Sequence, residues 1–136
     1  MDELSKTQRV AVAAMKAQAE RLRVIAQNLA NVNSVGQTPG EQPYRRQLIS
    51  FRNEMDRQLG AEAVQVHRVF EDMSPFPKRH DPAHPAADAD GYVMMPNVNP
   101  LIEMMDMREA QRSYEANMTV IGAAREMSKR TLELIR

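Results

Sequence analysis

Two histidines four residues apart, His80 and His84, with Asp81 between them and Asp88 and Asp90 close behind, are the side chains best suited to metal or acid–base chemistry. On a helix that spacing would place two imidazoles on one face, as a zinc site requires. Pro82 and Pro85 interrupt it, because each fixes φ and removes a backbone donor, and there is no HExxH arrangement. The segment reads as a proline-stiffened loop. DADG at 88–91 has the look of the centre of a calcium loop. Setting Asp88, Asp90 and Gly91 at positions three, five and six puts Ala86 at one and Asn97 at twelve, so both the opening ligand and the closing glutamate are missing. An Asx-turn with a positive φ at Gly91 is the simpler reading. His67 reads as an outward strand residue, and Met104, Met105 and Met107 as helix packing rather than a copper site. For Tyr44 and the basic pair Arg45 and Arg46, contact with an adjacent subunit is favoured over ordinary surface and over a phosphate or lipid ligand. A small metal-dependent enzyme built on the His80/His84 loop is thus the weaker alternative, and no catalytic residue, cofactor or metal is expected.

The bulk properties agree. The 136 residues suffice for one modest domain, and 18 basic against 18 acidic residues leave no field that would attract nucleic acid. Six aromatic residues and no tryptophan are few for a compact core, whereas 11 methionines suit adaptable helix seams. Without cysteine there is no disulfide, thiolate nucleophile or thiolate metal site. MDELSKTQRV has no basic stretch followed by an apolar one, so no cleaved signal of the common kind is expected, and no apolar run is long enough to span a bilayer.

Three zones must position whatever the chain does. In residues 1–36, Ser5 and Gln8 have capping-box spacing, and Leu4, Ala11, Met15, Leu22, Ile25, Leu29 and Val32 recur by threes and fours with Gln8 and Gln18 as polar interruptions. A helix over 6–31 would be about 39 Å long. Asn31, Asn33, Gly36, Pro39, Gly40 and Pro43 end it. In residues 37–98, 44–51 and 63–70 read as short strands, 52–60 as a loop or helical turn, 74–91 as free of regular structure and 92–99 as a brief edge strand. In residues 99–136, Asn99 and Pro100 occupy the cap and first helical position. Behind them Met104, Met107, Gln111, Tyr114, Met118, Ile121, Ser128, Leu132 and Ile135 form a second stripe over about 54 Å.

The expected fold is mainly α: long N- and C-terminal helices pairing as a coiled coil, with a small strand-and-loop insert between them. Apolar residues off the stripes, Val10, Val24 and Ala30 on the first helix and Leu101, Met105, Met127 and Leu134 on the second, imply neighbours beyond the pair. The amides Gln27, Asn28, Asn31 and Asn33 can cap the helix end or bond across subunits, and both roles stay open.

RLRVIAQNLANVNSVG (21–36) closely resembles the N-terminal signature of the flagellar rod, hook and filament axial family. Asn28, Leu29, Ala30 and Asn31 match its NLAN stretch, and Gly36 matches the glycine that closes it. RSYEANMTVIGAAREM (112–127) resembles the matching C-terminal helix, with Ser113, Tyr114, Ala116 and Asn117 in register. PYRRQLISF (43–51) and HDPAHPAADADGYVMMPNVNPLIEMMDMREA (80–110) are similar to the proximal rod members of that family.

The resemblance implies a structural subunit of the basal-body rod, the drive shaft that carries torque across the periplasm to the hook. It implies export through the flagellar type III apparatus without a cleaved signal, and a helical polymer with itself and other rod proteins. Neither nucleic acid nor a membrane span is implied. An inner-rod-like subunit of a related injection system is the other alternative, disfavoured by the 81–93 insert. Residues expected in helix packing or assembly are Met15, Leu22, Ile25, Leu29, Met104, Met107, Tyr114, Met118, Ile121 and Leu132.

Overall fold

The computed structural model of the chain describes residues 3–136. Two helices, α1 (Glu3–Ala30) and α2 (Pro100–Ile135), flank four strands: β1 (Gln47–Asp56), β2 (Ala61–Glu71), β3 (Lys78–His80) and β4 (Tyr92–Met94). The fold is mainly α, with the helices paired in coiled-coil fashion around a small β insert. α1 contains no glycine or proline and is rich in Ala, Leu, Gln, Arg and Lys, all of which lose little freedom in a helix. It begins before the expected cap: Ser5 lies inside the helix, where Glu3 accepts from Thr7 Oγ1 at 3.0 Å through its carbonyl and pairs with Lys6 at 3.1 Å. α2 starts as its sequence dictates. Asn99 Oδ1 accepts from the Leu101 N–H at 3.1 Å, with Pro100 at the first helical position.

The chain forms two compact units, and each draws residues from all three sequence zones. The first comprises residues up to Leu22, Ile49–Arg68 and Met107–Arg136. Here α1 and α2 run antiparallel. Val10 and Ala11 border the same recess as Asn117 and Val120, while Arg21 Nη2 lies 3.5 Å from Glu109 Oε2. The core is built from small side chains: Ala11, Ala17, Ala63, Ala110 and Ala124 are buried, joined by Leu59. Alanine brings two helices to short interaxial distance, which longer side chains would prevent.

That choice shifts the face of α2 by one residue from the hydrophobic stripe in the sequence. The most covered row of α2 is Glu103, Ala110, Asn117 and Ala124, flanked by half-buried Met107, Tyr114, Ile121 and Ser128. Met104, Gln111, Met118, Arg125 and Leu132, one position further on, are exposed. On α1 the stripe holds: Ala11 and Ile25 are buried, and Leu4, Met15, Leu22 and Leu29 are half-buried. Gln18 is the polar interruption expected there. Its Oε1 is buried with no partner among the described residues, as is Ser50 Oγ, each a site where about 1–3 kcal/mol of desolvation goes unreturned.

β1 continues through Asp56, so the segment expected as a loop over 52–60 is mostly strand. Only residues 57–60 turn, held by the Asp56 side chain and carbonyl accepting from Gln58, Leu59 and Gly60, before β2 pairs with β1.

The second unit, Arg23–Leu48 with Val69–Asp106, buries Val24, Ile25, Val93 and Val98 around two polar side chains, Asn28 and Glu103. Residues 74–91 do contain a regular element, contrary to expectation. The proline-free triplet Lys78–His80 pairs antiparallel with β4, Arg79 opposite Val93, and the prolines punctuate it on either side. The Asx-turn reading of 88–91 holds. Asp88 Oδ1 accepts from the N–H groups of Asp90 and Tyr92 at 2.9 Å, and Gly91 has φ 84°. α1 closes at Asn31, whose side chain donates to the Gln27 carbonyl at 2.8 Å and whose Oδ1 accepts from Ser34 Oγ at 3.0 Å. At Gly36 a Cβ would meet the Glu41 backbone at 2.8 Å, so only glycine lets the loop fold back there.

The row assignment on α2 is testable in the free subunit. Ala110→Leu is expected to destabilise it by about 1–3 kcal/mol through overpacking, whereas Met118→Ala should stay within about 0.5 kcal/mol. Urea unfolding of both variants checks the pair, and equal losses would contradict the assignment.

Candidate functional site

The most constrained chemistry lies in the second unit, where the last turn of α1, the segment entering β1 and the first turn of α2 share one buried polar cluster. Its centre is Glu103, whose side chain is 1% exposed. One carboxylate oxygen accepts from Arg46 Nε in a close hydrogen-bonded ion pair, and the other accepts from Asn28 Nδ2 at 3.3 Å. Glu103 also sits in the first turn of α2, where the unpaired N–H groups and the helix dipole favour negative charge.

Asn28, 1% exposed, is satisfied on both sides of its amide. Nδ2 also donates to the Gln47 carbonyl at 2.9 Å, and Oδ1 accepts from the Gln47 N–H at 2.9 Å and from the Tyr44 hydroxyl at 2.8 Å. The pair of bonds to Gln47 imitates a strand partner, so a side chain on α1 fixes where β1 begins. Arg46 extends the cluster to Asp72 at 3.5 Å and Asp106 at 3.7 Å, and its N–H donates to Asn97 Oδ1 at 2.7 Å. Asn97 Nδ2 in turn donates to the Asp72 carbonyl at 2.9 Å. Hydrogen bonds from the Ser74 N–H and hydroxyl hold the Asp72 carboxyl below the usual aspartate range, with Arg46 adding to them. Burial, reinforced by the charge on Glu103, pushes the Tyr44 hydroxyl above its ordinary 10.0.

Arg45 and Arg46 are therefore engaged within the chain. Arg45 stacks 4.1 Å over the Phe76 ring and donates to the carbonyls of Asp72 and Ser74, and Arg46 is the hub's cation. Both guanidinium groups thus have partners inside the chain, which the sequence reading did not anticipate. The acids that neutralise Arg46 come from far along the chain, Asp72 just after β2 and Glu103 and Asp106 on α2.

The histidine loop builds no comparable site. His84 Nδ1 accepts from the Ala86 N–H at 3.0 Å, and His80 packs edge-on to Tyr92 within the β3–β4 pair. Among the described residues no three His, Cys, Asp or Glu side chains are grouped to hold a metal ion. No helix of the described residues is long and apolar enough to cross a membrane.

Of the residues singled out in the sequence, Asn28 is central to the hub and Asn31 caps α1. Asn117 donates to the Ser113 carbonyl at 2.8 Å, and Ser113 and Tyr114 are half-buried. Ala30 and Ala116 are exposed, as are Met104 (54%), Met118 (52%) and Leu132 (66%). Glu103 and Asp72 escaped the sequence reading, which took Tyr44 together with the arginine pair and Asn97 only as a calcium-loop position. The available signal was Glu103 itself, the one acid heptad-spaced with Ala110, Asn117 and Ala124.

Asn28, Asn97 and Glu103 lie within the two stretches of the chain that match family models. Residues 9–36 match the model of the flagella basal body rod protein family, and residues 89–134 match that of the flagellar basal body rod FlgEFG protein C-terminal region. A flagellar basal-body rod protein FlgC of Agrobacterium fabrum is 46% identical over the whole chain and 98% of its own length. FlgC proteins of Salmonella typhimurium and Bacillus subtilis are 40% and 37% identical, each over 92% of this chain. The chain belongs to the FlgC family of flagellar basal-body rod proteins. Within that family frame the hub joins three segments of the chain, and Arg46 pairs with each of its acids, Asp72, Glu103 and Asp106.

Two experiments test the hub. Arg46→Met alone strands the Glu103 carboxylate and is expected to cost about 3–5 kcal/mol, most of it recovered when Glu103→Gln is added. Denaturant unfolding of the single and double variants gives both numbers. Tyr44 has a folded value above its unfolded one, so its contribution is fully present below pH 10 and is lost as pH rises through the folded value. Tyr44→Phe should therefore flatten the alkaline limb of the stability profile above pH 10, leaving its shape below pH 9 unchanged.

Proposed function

We propose that the chain is a structural, non-catalytic subunit of the flagellar proximal rod, polymerising helically with itself and other rod proteins as a shaft that carries torque to the hook. The observation that carries this reading is the 46% identity along the entire chain to a basal-body rod protein. The surface supports it: Met104, Met105, Met118, Val120 and Met127 stand exposed on one helix, an apolar supply that a monomer has no use for and a polymer covers. Export through the flagellum's own type III apparatus, residence in the periplasm and the absence of a cleaved signal follow from the same reading. So does the assignment of Met15, Leu22, Leu29, Met107, Tyr114 and Ile121, half-buried in the single chain, to packing that neighbours complete.

Mass spectrometry of detergent-resistant, envelope-spanning complexes from the native cell should recover the chain at fixed stoichiometry with rod proteins. A soluble cytoplasmic pool with none in the complexes would refute the reading. Leu29→Asp and Ile121→Asp are each expected to abolish incorporation by placing a charge in a packed face. Normal basal bodies from either variant would remove that residue from the assembly surface.

A further inference from the structure

Because the chain has no cysteine, its only sulfur atoms are the thioethers of its methionines, and no thiolate competes with them for a two-electron oxidant. Five methionines lie on α2: Met104, Met105, Met107, Met118 and Met127. Four of them stand in the open, with Met104, Met105, Met118 and Met127 between 52% and 62% exposed. Met107 is half-buried beside the alanine row, as are Met15 on α1 and Met94 and Met95 at the end of β4.

The other apolar residues exposed on the helix, Leu101, Ile102, Val120, Leu132 and Leu134, offer an oxidant nothing to attack. The four sulfurs are therefore the points at which this surface can change its polarity. A peroxide suffices as co-reactant. The Sδ lone pair attacks one peroxide oxygen, and the S–O bond forms as the O–O bond breaks. The sulfur gives up two electrons, and the departing hydroxide takes the proton from the transferred oxygen and leaves as water. The sulfoxide is polar and chiral, and its oxygen accepts hydrogen bonds. Facing water, it costs the subunit little. Covered by an apolar neighbour, it adds the desolvation of an unpaired acceptor at each position.

We propose that Met104, Met105, Met118 and Met127 are sites of reversible oxidation by peroxide in the free subunit, and that their sulfoxides withhold it from assembly until they are reduced. The oxidation sites stand on exposure and thioether chemistry alone. The effect on assembly rests on the rod reading above.

The full-length protein is treated with limiting hydrogen peroxide, and the sulfoxide at each methionine is followed by peptide mass spectrometry. The four exposed residues are expected to oxidise at least about fivefold faster than Met15 and Met107. Sulfoxide reductases acting on both epimers should then return them to thioethers. Equal rates at Met107 and its neighbours Met104 and Met105, or sulfoxides that resist reduction, overturn the site assignment. Assembly is read in motile cells that co-express two differently tagged chains, one unaltered and one carrying Met104→Leu, Met105→Leu, Met118→Leu and Met127→Leu. Peroxide should shift their ratio in isolated basal bodies at least about threefold toward the leucine chain, and a ratio that does not move overturns the effect on assembly. Glutamine at the same four positions supplies a permanent oxygen acceptor and needs no oxidant. That variant should unfold in urea as the unaltered chain does yet enter basal bodies at least about tenfold less, and its normal entry would likewise overturn the effect. Absence of the unaltered chain from basal bodies overturns the rod reading and the effect on assembly together, while the peptide analysis still decides the oxidation sites.

Discussion

A carboxylate almost wholly withdrawn from water is the constraint from which the second unit follows. An unpaired charge at the position of Glu103 would cost several kcal/mol, so the fold must bring Arg46 to it, and Arg46 belongs to the segment that enters β1. Asn28 supplies the remaining donor and, through Gln47, aligns that same segment against α1. Three pieces of chain distant in sequence are thereby ordered by one group. A buried ion pair of this kind adds little net stability over apolar residues of equal size. What it adds is a steep penalty on every arrangement that leaves Glu103 alone.

The same residue bears on the face that α2 turns inward. The helix is continuous from Pro100 to Ile135, so a row that starts at Glu103 continues through Ala110, Asn117 and Ala124. With alanines inside, the methionines one position on are left outside, and the larger apolar side chains become surface. In most globular proteins the priority runs the other way. Here the small residues serve the contact within the chain and the large, deformable ones are left on its surface.

Much of this was legible in the sequence. The two helices declare themselves by period, and Asn99 with Pro100 marks the start of α2 to the residue because cap chemistry is local. The Asx-turn at Asp88 and the break at Gly36 are likewise decided by neighbours in sequence. The stripe on α2 was read one residue late because hydropathy weights methionine over alanine, while close helix packing selects by size. β3 was hidden by its prolines, which exclude regular structure at their own positions but not at the three strand residues between them. The hub was least legible: its members, Asn28, Arg46, Asp72 and Glu103, are separated by 18 to 31 positions, and no local pattern couples an asparagine on one helix to a glutamate on another.

The amides that crowd the end of α1 show why such motifs resist a single explanation. Asn31 does what helix ends generally require, its side chain donating to the Gln27 carbonyl and starting the turn. Asn28, three residues earlier and chemically identical, points inward and holds a strand and a buried acid at once. An amide is suited to both tasks because it carries donor and acceptor on one rigid plane. An aspartate at 28 would lose the donors to Gln47 and Glu103 and set two carboxylates together in the core. A leucine would leave the Gln47 N–H, its carbonyl and the Tyr44 hydroxyl without partners. Asparagine at this site is thus dictated by the hub rather than by the helix that carries it, so the order of the NLAN stretch encodes tertiary as well as local structure.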